Sequence, residues 1–300
     1  MSLVMKNSSF LGSAYQNRPS YWIYFTLIAL IIGLGIYSTW KINDAQFIAP
    51  IVAGTVVWLM LLRAMRSSSL RWRNWTGVLQ FAVSWLVFPL FKAIQLAMPR
   101  SADANLLAMD RGLFGVGVPE LLLGWERVWL SELMSLCYFS FYFIILIPVV
   151  VYAFRRYDPA GRGFFYGLML MYLFGFIGYL LVPAAGPYAA FPEVFPYPPQ
   201  GGWMTGLMTG LVARGGTGMD VFPSLHCGIS LFVLGYLVMQ RHYGSALLLS
   251  PLVAGVILAT LYLRYHYGID LLAGALLAVL VLGWLRSSGF ASRKNPIRMK

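Results

Sequence analysis

Of 300 residues, 59% are hydrophobic and only 11% are charged, against roughly 25% charged in a soluble domain, so a mostly water-facing surface is excluded. Two cysteines exclude a disulfide scaffold and a multi-cysteine metal site, and Cys137 and Cys227 are expected as free thiols. A net charge of +12 would suit nucleic acid, but the basic residues follow a membrane pattern, and no nucleic-acid partner is expected.

Eight apolar runs follow in chain order. Tyr21–Thr39 is long enough to span a bilayer, which takes about 20 residues. No small-residue cleavage site follows it, so it reads as an uncleaved span. The others are Phe47–Met65, Trp75–Met98, Val128–Phe154, Phe164–Val182, Phe222–Gln240, Ser245–Leu263 and Tyr267–Leu285. A backbone in lipid must satisfy its own hydrogen bonds, so each run is expected as a helix. The fold class is all-α, a polytopic transmembrane bundle of about eight spans. Between the third and fourth runs, Pro99–Arg127 carries Asn105-Leu-Leu-Ala-Met-Asp-Arg-Gly-Leu-Phe-Gly115, expected as an amphipathic helix in the interface. Pro183–Val221 is rich in Pro and Gly, with Tyr188, Phe191, Phe195, Tyr197 and Trp203 interleaved. Aromatics prefer the headgroup level, so this segment is expected as a lid.

Charge placement tests the count. With a cytoplasmic N-terminus, 15 basic residues fall inside, among them Lys6, Arg18, Arg66, Arg73, Arg156, Arg241, Arg286, Arg293, Lys294, Arg298 and Lys300. Six fall outside, namely Lys41, Arg100, Arg111, Arg127, Arg214 and Arg264, and Lys92 lies within a span. Nine of the ten acidic residues are outside or near outer span ends. This is the positive-inside pattern. Both termini are expected in the cytoplasm, with a two-span extension (1–74), a catalytic membrane core (75–286) and a basic tail (287–300).

Only three histidines are present. His226 lies in Phe222-Pro-Ser-Leu-His-Cys-Gly228 and His266 in Tyr262-Leu-Arg-Tyr-His-Tyr-Gly-Ile-Asp270. Each begins a span that runs inward, so both fall at the outer interface, whereas His242 falls in a cytoplasmic turn. His266 and Asp270 are four residues apart, on one helical face. The carboxylate can hold one imidazole nitrogen and leave the other free to attack. A second histidine can supply a proton to a leaving alkoxide. Pro223 and Ser224 suit a helix start, whose free N–H groups favour phosphate. The competing readings are a bare His–Asp capping pair and a metal site, but a third strong ligand is not evident, and neither metal nor cofactor is expected.

Pro-Ser-Leu-His at 223–226 resembles the second motif of the type 2 phosphatidic acid phosphatase superfamily, and His266-x-x-x-Asp270 resembles the core of its third. Phe-Pro-Ser-Leu-His, His-Tyr-x-x-Asp-Leu-x-Ala-Gly, Asp110-Arg-Gly-Leu-Phe-Gly115 and Val182-Pro-Ala-Ala-Gly-Pro187 look most like its inositol phosphorylceramide synthase branch. The similarity covers roughly residues 100 to 285. It implies a six-helix catalytic core and a metal-independent double displacement. His266 would be the nucleophile, Asp270 its orienting carboxylate and His226 the acid–base partner. It also implies a phospholipid or other lipid-phosphate substrate, with water or a lipid alcohol as acceptor.

The sequence departs from the family pattern as well. The first motif, Lys-x6-Arg-Pro, is replaced by a reversed near-match of Lys92 with Pro99-Arg100. Thr260 stands where the third motif has its arginine, and Tyr188 where the branch often has Arg. Arg264, Ser224, Lys92 and Tyr188 are therefore the candidate phosphate contacts. Arg264 and Lys92 keep a second reading as arms that snorkel to the interface. The rival function is a transporter or flippase of lipid-linked substrates. It would need polar groups deep in several spans, where only Lys92, Glu132 and Gln80 stand out.

Overall fold

The computed structural model describes residues 19–290 apart from 197 and 289. Residues 1–18 (with Lys6 and Arg18), Tyr197, and most of the basic tail (Arg293, Lys294, Arg298 and Lys300 included) lie outside the described residues. Among those described, every regular element is helical. The chain runs α1 (Pro19–Ile42), α2 (Ile48–Arg66), α3 (Leu70–Arg73), α4 (Thr76–Val87), α5 (Leu90–Ala97), α6 (Asp103–Phe114), α7 (Val128–Phe154), α8 (Pro159–Leu181), α9 (Pro187–Ala190), α10 (Trp203–Gly215), α11 (Leu225–Met239), α12 (Tyr243–Tyr262) and α13 (Gly268–Ser287).

Among the described residues, seven helical segments, not eight, are long and apolar enough to cross a membrane. The eighth expected span, Phe222–Gln240, yields only the 15-residue α11. At 1.5 Å per residue this helix is about 22 Å long, short of the ~30 Å hydrocarbon layer. Pro223 lacks an N–H, and the Ser224 side chain caps the helix by accepting from Cys227 N, so the helix starts three residues later than hydropathy predicts. Ser224 is fully buried while Arg241 is exposed; the missing length is at the buried, His226-bearing end. The third span is two helices in one run, α4 and α5, interrupted at Phe88-Pro89, where the proline removes a helical N–H.

The helices alternate in direction. One end of the bundle therefore gathers the α1–α2 turn, α6, the segment between α8 and α11, and the α12–α13 turn. The other end gathers the α2–α4, α7–α8 and α11–α12 connections. Helix α8 is the most enclosed, with 72% of its apolar window buried, and its Phe164 packs among Tyr152, Phe232 and Tyr236. The outward faces stay apolar: Trp40, Phe154, Leu247 and Leu248 are each at least 75% exposed, as suits a lipid surround. Two glycines let α11 and α13 touch. A Cβ at Gly274 would collide with the Ser224 carbonyl, and one at Gly228 with the Gly274 carbonyl.

A helix, α6, forms within Pro99–Arg127, followed by a 3-10 stretch, Val118–Trp125. Its buried face carries two acidic residues. Asp103 and Asp110 are buried with Leu106 and Leu107, while Met109, Leu113 and Phe114 are exposed. The lid segment holds its own helix, α10. The first turn of α10 donates to Glu132 of α7 from Met204 N and Thr205 N, joined by Gly202 N. A carboxylate at a helix start satisfies N–H groups that have no intrahelical partner.

Candidate active site

Helix α12 ends in a Schellman motif, with Arg264 N donating to Leu261 O and Tyr265 N to Thr260 O. Arg264 takes the left-handed position at φ 64°, which glycine normally fills because a side chain there is strained. The turn reverses the chain within five residues and delivers His266 directly ahead of α13. Asp270, in the first turn of α13, accepts from His266 Nδ1 at 3.2 Å and from Tyr267 N at 3.1 Å, both at Oδ2. Its Oδ1 is buried with no hydrogen-bond partner among the described residues.

The start of α11 meets this turn from the side. Ser224 N donates to Asp270 O at 3.0 Å, and Ser224 Oγ lies 3.3 Å from His266 Nε2. His226 Nδ1 lies 3.4 Å from the same Nε2. The far nitrogen of His226, Nε2, is 3.0 Å from the Tyr138 hydroxyl of α7, and Phe141 packs against the ring at 4.5 Å. His226 is half-buried, whereas His266 and Asp270 are buried. One assignment of hydrogens satisfies the chain: Tyr138 O–H to His226 Nε2, His226 Nδ1–H to His266 Nε2, and His266 Nδ1–H to Asp270. His266 then presents a lone pair, and His226 a proton, to the same point.

The structure thus brings together His226, His266, Asp270 and Ser224. It puts His242 at the opposite end, exposed. Arg264 is 1% exposed, paired with Glu126 and donating to the Pro196 carbonyl of the lid segment. It is therefore not an arm snorkelling to the surface. Burial lowers its guanidinium pKa from the ordinary value. Tyr188 stands beside it, its N–H on Arg264 O at 3.1 Å and its ring edge-on to Tyr265. Lys92 Nζ donates to Arg214 O at 3.3 Å, and Glu132 is taken up by the first turn of α10. Among the described residues, no group of three His, Cys, Asp or Glu side chains is arranged to hold a metal ion.

Sequence reasoning missed Tyr138, Glu126 and the buried pair Asp103 and Asp110. A tyrosine in an apolar helix gives no signal. The two aspartates give a faint one, because seven residues apart they share a helical face.

Fold and site together define a membrane-embedded helical bundle with a paired-histidine centre at one end. The PAP2 superfamily profile matches residues 104–284, well over half of the chain, and the protein belongs to that superfamily. Membership supports a phosphatase-type enzyme and suggests a lipid phosphate in the membrane as its substrate. No curated protein and no solved structure matches the chain.

Proposed function

We propose that this protein transfers a phosphoryl-containing group from a lipid phosphate to water or an alcohol, through a phosphohistidine on His266. The observation that carries the reading is the line Tyr138–His226–His266–Asp270, with 3.4 Å between the facing histidine nitrogens. The rings part to admit a phosphoryl group, which then meets a lone pair on one side and a proton donor on the other. His266 Nε2 attacks phosphorus, and the bond to the leaving oxygen breaks. For this step His226 is the imidazolium, its Nε2–H on the Tyr138 oxygen; it gives the leaving oxygen its Nδ1 proton and is left neutral. Asp270 holds the His266 Nδ1–H and stabilises the charge that develops on the ring. In the second half, water or an alcohol gives a proton to His226, attacks phosphorus and frees His266. No metal enters this scheme.

Arg264 is the proposed phosphate ligand; on entry the substrate's anionic oxygens replace Glu126 against a guanidinium already buried. Ser224, which lies on His266 Nε2, and Tyr188, beside Arg264, complete the phosphate side. Lys92 is proposed to draw anionic headgroups to the rim, a weak and salt-sensitive contribution. The catalytic unit is proposed as 75–286, with 1–74 as an added pair of helices. The positive-inside distribution supports an active site on the outer face. The motifs at 222–226 and 266–274 favour an acceptor alcohol and the inositol phosphorylceramide synthase branch over plain hydrolysis.

The test is incubation of the purified protein with labelled phospholipids, with and without an alcohol acceptor, in the presence of EDTA. Free phosphate identifies a phosphatase and a new phosphodiester lipid a transferase, and vanadate inhibits either. Absence of both products, or activity lost to EDTA and restored by zinc or magnesium, contradicts the reading.

A further inference from the structure

Two sequence segments, Asp110-Arg-Gly-Leu-Phe-Gly115 and Val182-Pro-Ala-Ala-Gly-Pro187, have no role in the chemistry above, yet both converge on the His266 turn. The link is the buried face of α6. Asp110, fully buried, accepts from Gly268 N at 2.9 Å and Val118 N at 3.1 Å on one oxygen, and from Ile269 N at 2.7 Å on the other. Asp103, 2% exposed, accepts from Gly186 N at 2.9 Å and the Tyr267 hydroxyl at 2.8 Å on Oδ1. Its Oδ2 accepts from Ala185 N at 2.9 Å and Ser101 Oγ at 2.7 Å.

These contacts occupy the first two N–H groups of α13, and Asp270 takes the N–H of Tyr267. Every backbone donor from Tyr267 to Ile269 therefore ends on a carboxylate. The 183–187 loop is fixed to the same helix, since Ala102 N also donates to Pro183 O at 2.7 Å. That loop abuts the turn: Gly186 is left-handed at φ 91°, and a Cβ on it would press on the Tyr265 carbonyl. Two carboxylates shielded from water form strong charge-assisted bonds to N–H groups. An α6 that only floated in the interface would not bury both of its acidic side chains.

We propose that Asp103 and Asp110 are positioning residues for the reaction. They brace the His266 turn against the 183–187 loop and thereby set the His266 ring in line with His226. The proposal rests on the phosphohistidine reading for its kinetic consequence, but its geometric consequence stands independently.

Both are measured on full-length protein in nanodiscs. The variants are Asp110→Asn and Asp103→Asn, with Asp158→Asn, exposed at the opposite end, as control. The geometric readout is the downfield proton signal of His266 Nδ1–H held on Asp270. It is recorded well below the melting temperature, with helicity checked by circular dichroism. The kinetic readout is turnover of a short-chain phosphatidic acid.

Asp110→Asn is expected to weaken or abolish the signal and lower kcat about 100-fold with KM within about twofold, as a misplacement on the order of 1 Å does. Asp103→Asn acts in the same direction, less strongly, and Asp158→Asn changes neither. A folded Asp110→Asn variant with the wild-type signal and wild-type kcat overturns the brace while leaving the phosphatase reading intact. A wild type that has the signal, loses it in Asp110→Asn, and turns over no phosphate ester keeps the brace and removes the phosphatase reading.

Discussion

The two ends of the bundle contain nearly the same turn. An arginine stands two residues past the end of each helix, Arg241 after α11 and Arg264 after α12, and both lie at φ 64°. In both, the residue after the arginine donates to the carbonyl five positions back, His242 N to Leu237 O and Tyr265 N to Thr260 O. A histidine follows closely in each case. Yet Arg241 and His242 are exposed, whereas Arg264 is sealed against Glu126 and His266 lies on Asp270. The strained backbone is therefore no mark of function by itself. The difference lies in burial and in the carboxylates supplied by other parts of the chain.

The comparison breaks most sharply at the histidines. His266→Ala is expected to abolish turnover, and Asp270→Asn to lower kcat by about 10²–10⁴-fold, the range of a lost acid–base or orienting group, with KM little changed. Steady-state assays on a lipid phosphate check both. His226→Ala is expected to slow release of a poor leaving group far more than of p-nitrophenolate, because its role is to protonate the departing oxygen.

The arginines sharpen it next. Arg264→Ala is expected to lower kcat/KM by about 10- to 150-fold, from roughly 1.5–3 kcal/mol for a hydrogen bond to a charged group. Arg241→Ala is expected within about twofold of wild type, measured in the same assay. A smaller effect falls on stability. Gly274→Ala puts a methyl group against the Ser224 carbonyl and is expected to cost about 1–3 kcal/mol, read as a lower melting temperature in detergent. His242→Ala, exposed and at the far end, is expected to stay within ±0.5 kcal/mol and to leave activity unchanged.

Hydropathy and charge made the bundle legible, because lipid allows the backbone few alternatives. The same charge bookkeeping put His226 and His266 at one end and His242 at the other before any geometry was known. The His266–Asp270 pair was legible because it is local, four residues on one helix. What stayed hidden is what comes from afar. Tyr138 reaches His226 across 88 positions, and Asp110 reaches Gly268 across 158; neither pairing leaves a periodic trace. The short α11 was misjudged because apolar residues continue through Phe222, while Pro223 and the Ser224 cap decide where the helix begins. Glu132 stands out in the sequence only as a polar group within a span; four donors at the start of α10 claim its carboxylate.

The most direct test of the central claim is to trap the intermediate. Wild-type protein is mixed with a phosphorus-labelled substrate, quenched in alkali to preserve phosphohistidine, digested and mapped. Label on the peptide carrying His266, absent in His266→Ala and accumulating when the acceptor is withheld, is the predicted result. Label on His226, or turnover with no labelled histidine at any time, would contradict it.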